Sequence, residues 1–185
     1  MMNEFLLWTD LETSGTDENR DKILEIACIV TSTGLEELGA YEAVIWPDGW
    51  EDAAGSPPAS LDIDPYVMKM HTDSHLWEDC AQSGVSVRAA EAELIRWLGL
   101  VGKRHEFVLA GSGVSHFDRR FLAAQMPDLT GWLRYYSIDV GVLRRTLGLI
   151  GRDDLVRPAP DKPHRAMADV RIHLDELRQM KQALA

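Results

Sequence analysis

Three apolar runs joined by short polar links fill the start of this 185-residue chain, and their spacing predicts three neighbouring β-strands. The runs span residues 5–9, 23–31 and 39–46. Between the first two, residues 13–21 contain the Gly, Asp and Asn residues typical of a turn. Links this short favour antiparallel pairing, so we expect a three-stranded meander.

The remainder of the chain alternates between helical and strand patterns, which indicates an α/β domain. Apolar residues follow helical spacing from Val85 onward. Further helices are predicted at residues 65–71, 73–82, 118–126, 142–149 and 165–183, and further strands at 107–111 and 137–140. We therefore predict one domain over residues 1–185, with five strands flanked by helices.

Residues 47–65 interrupt this pattern with four of the eight prolines and five acidic residues. We interpret this stretch as a surface loop excursion, because compact domains seldom contain so long a connection without secondary structure. The alternative is a segment that covers the substrate, since Trp46 and Trp50 lie near its start.

Five residues suited to metal-dependent chemistry lie near the ends of predicted elements: Asp10, Glu12, Asp118, His164 and Asp169. Singly, each has an ordinary explanation as a turn residue, a helix N-cap, a surface histidine or a first-turn acid. Together, four carboxylates neutralise two divalent cations, and such hard oxygen ligands select Mg²⁺ or Mn²⁺ over Zn²⁺. A neutral imidazole nearby can take a proton from water. This set predicts hydrolysis of phosphodiesters by a two-metal mechanism.

The same residues lie in three motifs that resemble those of the exonucleases with four acidic metal ligands and a histidine, in the ribonuclease H-like superfamily. The motifs are Trp-Thr-Asp-Leu-Glu-Thr-Ser-Gly at 8–15, Phe-Asp-Arg-Arg-Phe-Leu at 117–122, and the segment 164–169. The resemblance is greatest to oligoribonucleases and covers nearly the whole chain. It implies a ribonuclease H-like fold with a mixed sheet, and a homodimer. The implied activity is 3′→5′ release of nucleoside 5′-monophosphates from short single-stranded RNA.

The resemblance also implies a role for each site residue. Asp10 bridges two cations, Mg²⁺ or Mn²⁺. Glu12 and Asp169 join it on the ion that holds the attacking water. Asp118 serves the second ion, and His164 is the general base. Substrate contacts are expected from four further residues: Leu11, Thr13, His71 and Tyr135.

Four positions depart from the oligoribonuclease pattern. Thr16 stands in place of a leucine that wedges against a base. Val114 and Gly141 replace serines, and Tyr136 replaces an arginine. The replaced polar residues cap the 5′-phosphate of a dinucleotide in that family. A broader trimming activity on single-stranded RNA or DNA is therefore also compatible with this chain.

The net charge of −11 argues against a long electrostatic groove for duplex nucleic acid. Residues 1–102 carry 5 Lys and Arg and 20 Asp and Glu, whereas residues 103–185 carry 14 and 10. Taken singly, the arginines of the second part are interpreted as solvated side chains on helix faces. A short substrate held through metal ions suits this distribution.

Three other functions compete with an RNA exonuclease: a proofreading-type DNA exonuclease, a non-catalytic adaptor with the same fold, and an endonucleolytic ribonuclease H. We expect a cytoplasmic protein with no membrane association. The two cysteines form no disulfide framework, and neither an apolar run of about 18 residues nor a secretion signal is evident.

Overall fold

The structure is a computed structural model that describes residues 4–50, 57, 62–156 and 164–184. Its centre is a five-stranded sheet in the order β3-β2-β1-β4-β5. The strands are β1 (Phe5–Thr13), β2 (Ile23–Ser32), β3 (Glu37–Val44), β4 (Phe107–Gly111) and β5 (Leu133–Asp139). The first three strands form an antiparallel meander, whereas β4 runs parallel to both β1 and β5. The predicted meander and the mixed five-stranded sheet are confirmed.

Helices pack on both faces of this sheet. They are α1 (Pro65–Asp73), α2 (Leu76–Ser83), α3 (Val87–Val101), α4 (Asp118–Gln125), α5 (Pro127–Thr130), α6 (Val140–Leu149) and α7 (Ala166–Ala183). On one face, Leu7 and Leu109 pack with Leu94 of α3 and Phe121 of α4. On the other face, a second apolar cluster joins the sheet to α6 and α7. A helix–sheet–helix layering results, as the sequence predicts.

Alternation along β1 decides which face each of its side chains meets. Leu6 and Trp8 belong to the cluster beneath α6 and α7. Because successive strand residues point to opposite faces, Asp10 and Glu12 continue the same row. Both carboxylates therefore project on the face of the sheet that α7 covers.

Some element boundaries differ from the prediction. β1 does not end at residue 9, because its pairing with β2 continues through Glu12↔Glu25 to Thr13↔Ile23. β5 begins at Leu133 rather than at 137, and α6 begins at Val140 rather than at 142. The single turn of α5 and a 3₁₀ turn at Asp153–Leu155 are short elements that the sequence pattern does not resolve.

Most of the predicted 47–65 excursion, namely residues 51–56 and 58–61, lies outside the described residues, so its role stays a prediction. On its near side, Trp50 is buried against Trp77. On its far side, Asp64 caps α1 by accepting the backbone N–H of Tyr66 at 2.7 Å. Within the described ranges, no helix has the length and apolar character needed to cross a membrane.

The carboxylate of Asp139 joins β5, α6 and the connection that follows β4. It accepts backbone N–H groups from Gly113 at 3.0 Å and from Ser115 and Val142 at 3.1 Å, and the Ser115 hydroxyl at 2.6 Å. Burial disfavours ionisation, but these donors outweigh it and lower the pKa of Asp139 to about 2. Residues 112–117 are thereby fixed to the start of α6.

We expect Asp139→Asn to destabilise the fold by about 2 kcal/mol near neutral pH, because the amide cannot accept all four donors as a carboxylate does. The folded pKa lies below the unfolded value of about 3.9, so the stabilisation is complete above this value and is lost as pH falls toward the folded pKa. The difference from wild type should be roughly halved at about pH 3.

Urea unfolding near neutral pH and in acid measures this difference. Asp128→Asn, which changes an exposed carboxylate on α5, is the control and should behave as wild type. An effect of Asp139→Asn that is equal at both pH values would contradict the assignment of these hydrogen bonds to the ionised carboxylate.

Candidate active site

A cleft of about 380 Å³ opens where β1 and β4 end on the sheet. All five residues singled out by the sequence line it, although they come from the start, the middle and the end of the chain. The lining residues are Asp10, Leu11, Glu12, Ser112, Gly113, His116, Phe117, Asp118, His164 and Asp169.

Three elements deliver these side chains. Asp10 and Glu12 alternate with Leu11 along β1. Asp118 is the first residue of α4 and accepts the backbone N–H of Leu11 at 3.0 Å. Asp169 lies in the first turn of α7, where the helix dipole favours a negative charge. His164 lies just before α7 with a φ of +51°.

The described residues of this cleft fit divalent cations. Glu12, His164 and Asp169 each offer a ligand atom, and these atoms lie within 4.8 Å of one another. Glu12, Asp118 and Asp169 are almost fully buried. Ionised carboxylates that lie close together in a buried site repel one another, and bound cations relieve that repulsion. A carboxylate set of this kind suits Mg²⁺ or Mn²⁺.

Two of the predicted substrate contacts, Thr13 and His71, are buried and do not line the cleft. His71 is 0% exposed, and its Nε2 donates to the carbonyl oxygen of Thr13 at 2.9 Å. Its Nδ1 lies 4.0 Å from Glu12 Oε2, and its ring meets Trp77 edge-on. Burial lowers the pKa of His71. In this conformation His71 is enclosed and supports β1.

Of the other two predicted contacts, Leu11 faces the cleft and Tyr135 is exposed to solvent. Leu11 lines the cleft beside Asp10. Tyr135 is 90% exposed on the edge strand β5, with its ring 5.1 Å from that of Tyr136. It does not line the cleft within this single chain. The roles of Leu11, Thr13, His71 and Tyr135 in binding substrate stay predictions.

Sequence reasoning assigned no role to several residues that the structure places at the site. Ser112 and His116 form part of the cleft wall. His173 is buried on α7 with its Nδ1 3.9 Å from Asp10 Oδ1. Its spacing of four residues from Asp169 puts both on one helix face, and that spacing is visible in the sequence.

The structure also shows the surroundings of the four residues that depart from the oligoribonuclease pattern. Val114 is fully buried in the core. The Tyr136 hydroxyl donates to Glu4. A Cβ at Gly141 would lie 2.8 Å from Ser112 Oγ, so a larger side chain does not fit there without movement. Thr16 is exposed.

Solved structures with the same fold include exonuclease I of E. coli. In its zinc-bound complex with single-stranded DNA, it matches 98% of this chain with a TM-score of 0.73 at 16% sequence identity. A product-bound structure of exonuclease I gives a TM-score of 0.68 over 97% of this chain at 17% sequence identity. This chain spans 41% of the first of these and 44% of the second. The similarity confirms the ribonuclease H-like fold.

Sequence comparison gives the family. The family model for exonucleases matches residues 7–177. Oligoribonuclease of Xanthomonas oryzae is 32% identical over 181 residues, which are 97% of this chain and 89% of that protein. Oligoribonuclease of Haemophilus ducreyi is 31% identical over 96% of this chain and 93% of its own length. With a match over nearly its whole length, this chain belongs to the exonuclease family.

Proposed function

We propose that this protein is a metal-dependent 3′→5′ exonuclease that releases nucleoside 5′-monophosphates from short single-stranded RNA. The observation that carries this proposal is the convergence of five side chains on one cleft: Asp10, Glu12, Asp118, His164 and Asp169. Membership of the exonuclease family supports the reaction class. Similarity to oligoribonucleases over nearly the full chain supports short RNA as the substrate.

The carboxylates are assigned to two cations. Asp10, Glu12 and Asp169 would hold one ion, and Asp118 the other, with Asp10 shared between them. When bound, the two ions, Mg²⁺ or Mn²⁺, supply Lewis acidity and neutralise charge on the phosphodiester. The protein contributes rigid ligand positions. Asp118, for example, accepts a hydrogen bond from the backbone N–H of Leu11, which holds its carboxylate in position.

His164 is assigned the proton transfer. Its imidazole accepts a proton from the attacking water, whose oxygen forms a bond to phosphorus. The bond between phosphorus and the 3′ oxygen of the preceding nucleotide then breaks. That oxygen takes up a proton and stays on the shortened strand, and a nucleoside 5′-monophosphate leaves. Histidine is the side chain that most often serves as a general acid or base in enzymes.

DNA is the second candidate substrate. The matched exonuclease I structure is a complex with single-stranded DNA, and Thr16 stands where oligoribonucleases place a base-wedging leucine. A non-catalytic adaptor is a weaker alternative, because a binding role requires none of the five side chains gathered in the cleft.

A homodimer is part of the proposal by resemblance to oligoribonucleases. The exposed Tyr135 on edge strand β5 offers an aromatic surface that suits either a base or a second copy of the chain. A cytoplasmic location stays a prediction from the sequence.

We expect purified protein to shorten 5′-labelled single-stranded RNA from its 3′ end with Mg²⁺ or Mn²⁺, and EDTA to abolish this. Asp10→Ala should remove activity because it removes the shared ligand. His164→Ala should lower the rate by roughly 10²–10⁴, the usual contribution of a general base. Denaturing gels resolve the products.

His105→Ala is the matched control, because His105 also has a positive φ (+63°) but lies just before β4, away from the cleft. It should retain wild-type activity. Internal cuts would support an endonuclease instead. The absence of turnover on every RNA and DNA substrate would support the adaptor.

We expect this protein to cleave RNA of a wider range of lengths than an enzyme that is specific for dinucleotides. Val114 and Gly141 carry no polar group toward a 5′-phosphate, and the Tyr136 hydroxyl already donates to Glu4. A hydrogen bond to a charged group is worth about 1.5–3 kcal/mol, so a protein that caps the phosphate should show a large dependence on it.

We therefore expect a dinucleotide to be cleaved at about the same rate with and without its 5′-phosphate, within roughly a factor of three or less than 1 kcal/mol. Single-turnover rates for both forms, and for a longer RNA and its DNA analogue, measure this. A loss of more than about tenfold on removing the 5′-phosphate, or 1.4 kcal/mol, would show that other residues of this chain cap the phosphate.

A further inference from the structure

The guanidinium of Arg165, next to the predicted general base, joins three segments of the chain. Its Nη2 donates to Glu25 Oε1 at 2.9 Å and its Nε to the same carboxylate at 3.2 Å. Its Nη1 lies 2.8 Å from Asp79 Oδ2 on α2. The same Nη1 reaches the carbonyl oxygen of Ser74, the residue after α1, at 3.4 Å. One side chain therefore links β2, the α1–α2 pair and the start of α7.

Glu25 has a second task at the same place. It also accepts the backbone N–H of Ala166 at 2.8 Å, and so caps the first turn of α7. Glu25 is buried and lies directly opposite Glu12 in the β1–β2 pair. Two carboxylates at paired positions repel each other, and the positive charge of Arg165 offsets this repulsion. The hydrogen bond and charge of Glu25 in turn raise the pKa of Arg165.

His164 occupies a backbone conformation that needs support. Its φ of +51° lies in the left-handed region, which is strained for a residue other than glycine. Arg165 follows with an extended backbone (φ −132°, ψ 126°). His164 lines the cleft, whereas the Arg165 guanidinium binds Glu25 and Asp79. The contacts of Arg165 thereby fix the backbone of His164.

We propose that Arg165, Glu25 and Asp79 are positioning residues that hold His164 in the orientation needed to accept the proton from water. This inference rests on the proposed function and deepens it. None of the three lines the cleft, so they act through His164 and not on the substrate. Asp79 extends the effect to α2, so the α1–α2 pair that carries His71 is held by the same guanidinium.

The first test compares two arginines that form similar ion pairs. Arg165→Gln removes the pairs described above. Arg144→Gln is the matched control, because Arg144 binds Glu176 with two hydrogen bonds of 2.6 and 2.7 Å and is 30% exposed, against 33% for Arg165, but lies away from the cleft. We expect Arg165→Gln to lower the single-turnover rate by about 10–100-fold with KM changed by less than about threefold. Arg144→Gln should leave both unchanged.

A double-mutant comparison separates positioning from general damage. In a His164→Ala background, Arg165→Gln should cause no further loss of rate, since the residue that it positions is already gone. Equal losses in both backgrounds would overturn the proposal. Arg165→Lys keeps a positive charge for Glu25 and preserves the fold, but cannot form the same fork of hydrogen bonds. It should lose rate to a smaller extent than Arg165→Gln.

A measurement without substrate keeps this test independent of the proposed function. The imidazole ¹H–¹⁵N signals of the six histidines can be assigned by substitution, His164 by its loss in His164→Ala. The His164 signal should move or broaden in Arg165→Gln and Asp79→Asn and stay unchanged in Arg144→Gln. An unchanged His164 signal in Arg165→Gln would overturn the positioning role, whether or not the wild-type protein cleaves RNA.

Discussion

The site depends on one feature of the sheet: β1 extends beyond the last residue that it pairs with β4. These parallel strands are paired from Phe5↔Phe107 to Trp8↔Ala110, after which β1 continues to Thr13 with only β2 beside it. The open side of β1 forms a crevice at the carboxyl ends of the two strands, where open α/β sheets usually bind ligands. Asp118 enters this opening, so one carboxylate completes the backbone hydrogen bonding of β1 and also faces the cleft.

Local sequence patterns predict the sheet well where burial is uniform. The bounds of β4 are predicted correctly because all five of its residues are buried, which produces a continuous apolar run. β1 is predicted too short because Asp10 and Glu12 interrupt the apolar pattern. Polar residues inside a strand look like the start of a turn, since the sequence does not show that a cleft lies in front of them.

The site is predicted less evenly than the fold. The residue types and motif spacings indicate the four carboxylates and the histidine that line the cleft, but not the residues that hold them. Arg165 and Glu25 are separated by 140 positions, and no local pattern connects them. The interpretation of the arginines as solvated is wrong for Arg165, and also for Arg119, whose guanidinium donates to the carbonyl oxygens of Arg134 and Tyr136.

The charge asymmetry of the chain has a partly structural explanation. Ion pairs join the basic second part to the acidic first part through Arg120–Glu18, Arg165–Glu25, Arg165–Asp79 and Arg171–Glu37. These ion pairs neutralise part of the positive charge of the second part, which is then not available to bind nucleic acid. The cleft itself is acidic, so cations rather than arginines are suited to mediate its contact with phosphate.

The long separation between Arg165 and Glu25 has a consequence for how the chain reaches its native state. The meander of β1 to β3 forms between segments that are close along the chain, whereas the start of α7 must return across most of it to meet Glu25. Closing so large a loop has a high entropic cost, and contacts of this kind tend to form late in folding. During refolding, strand structure in the meander should therefore recover before the contacts between Glu25 and the start of α7.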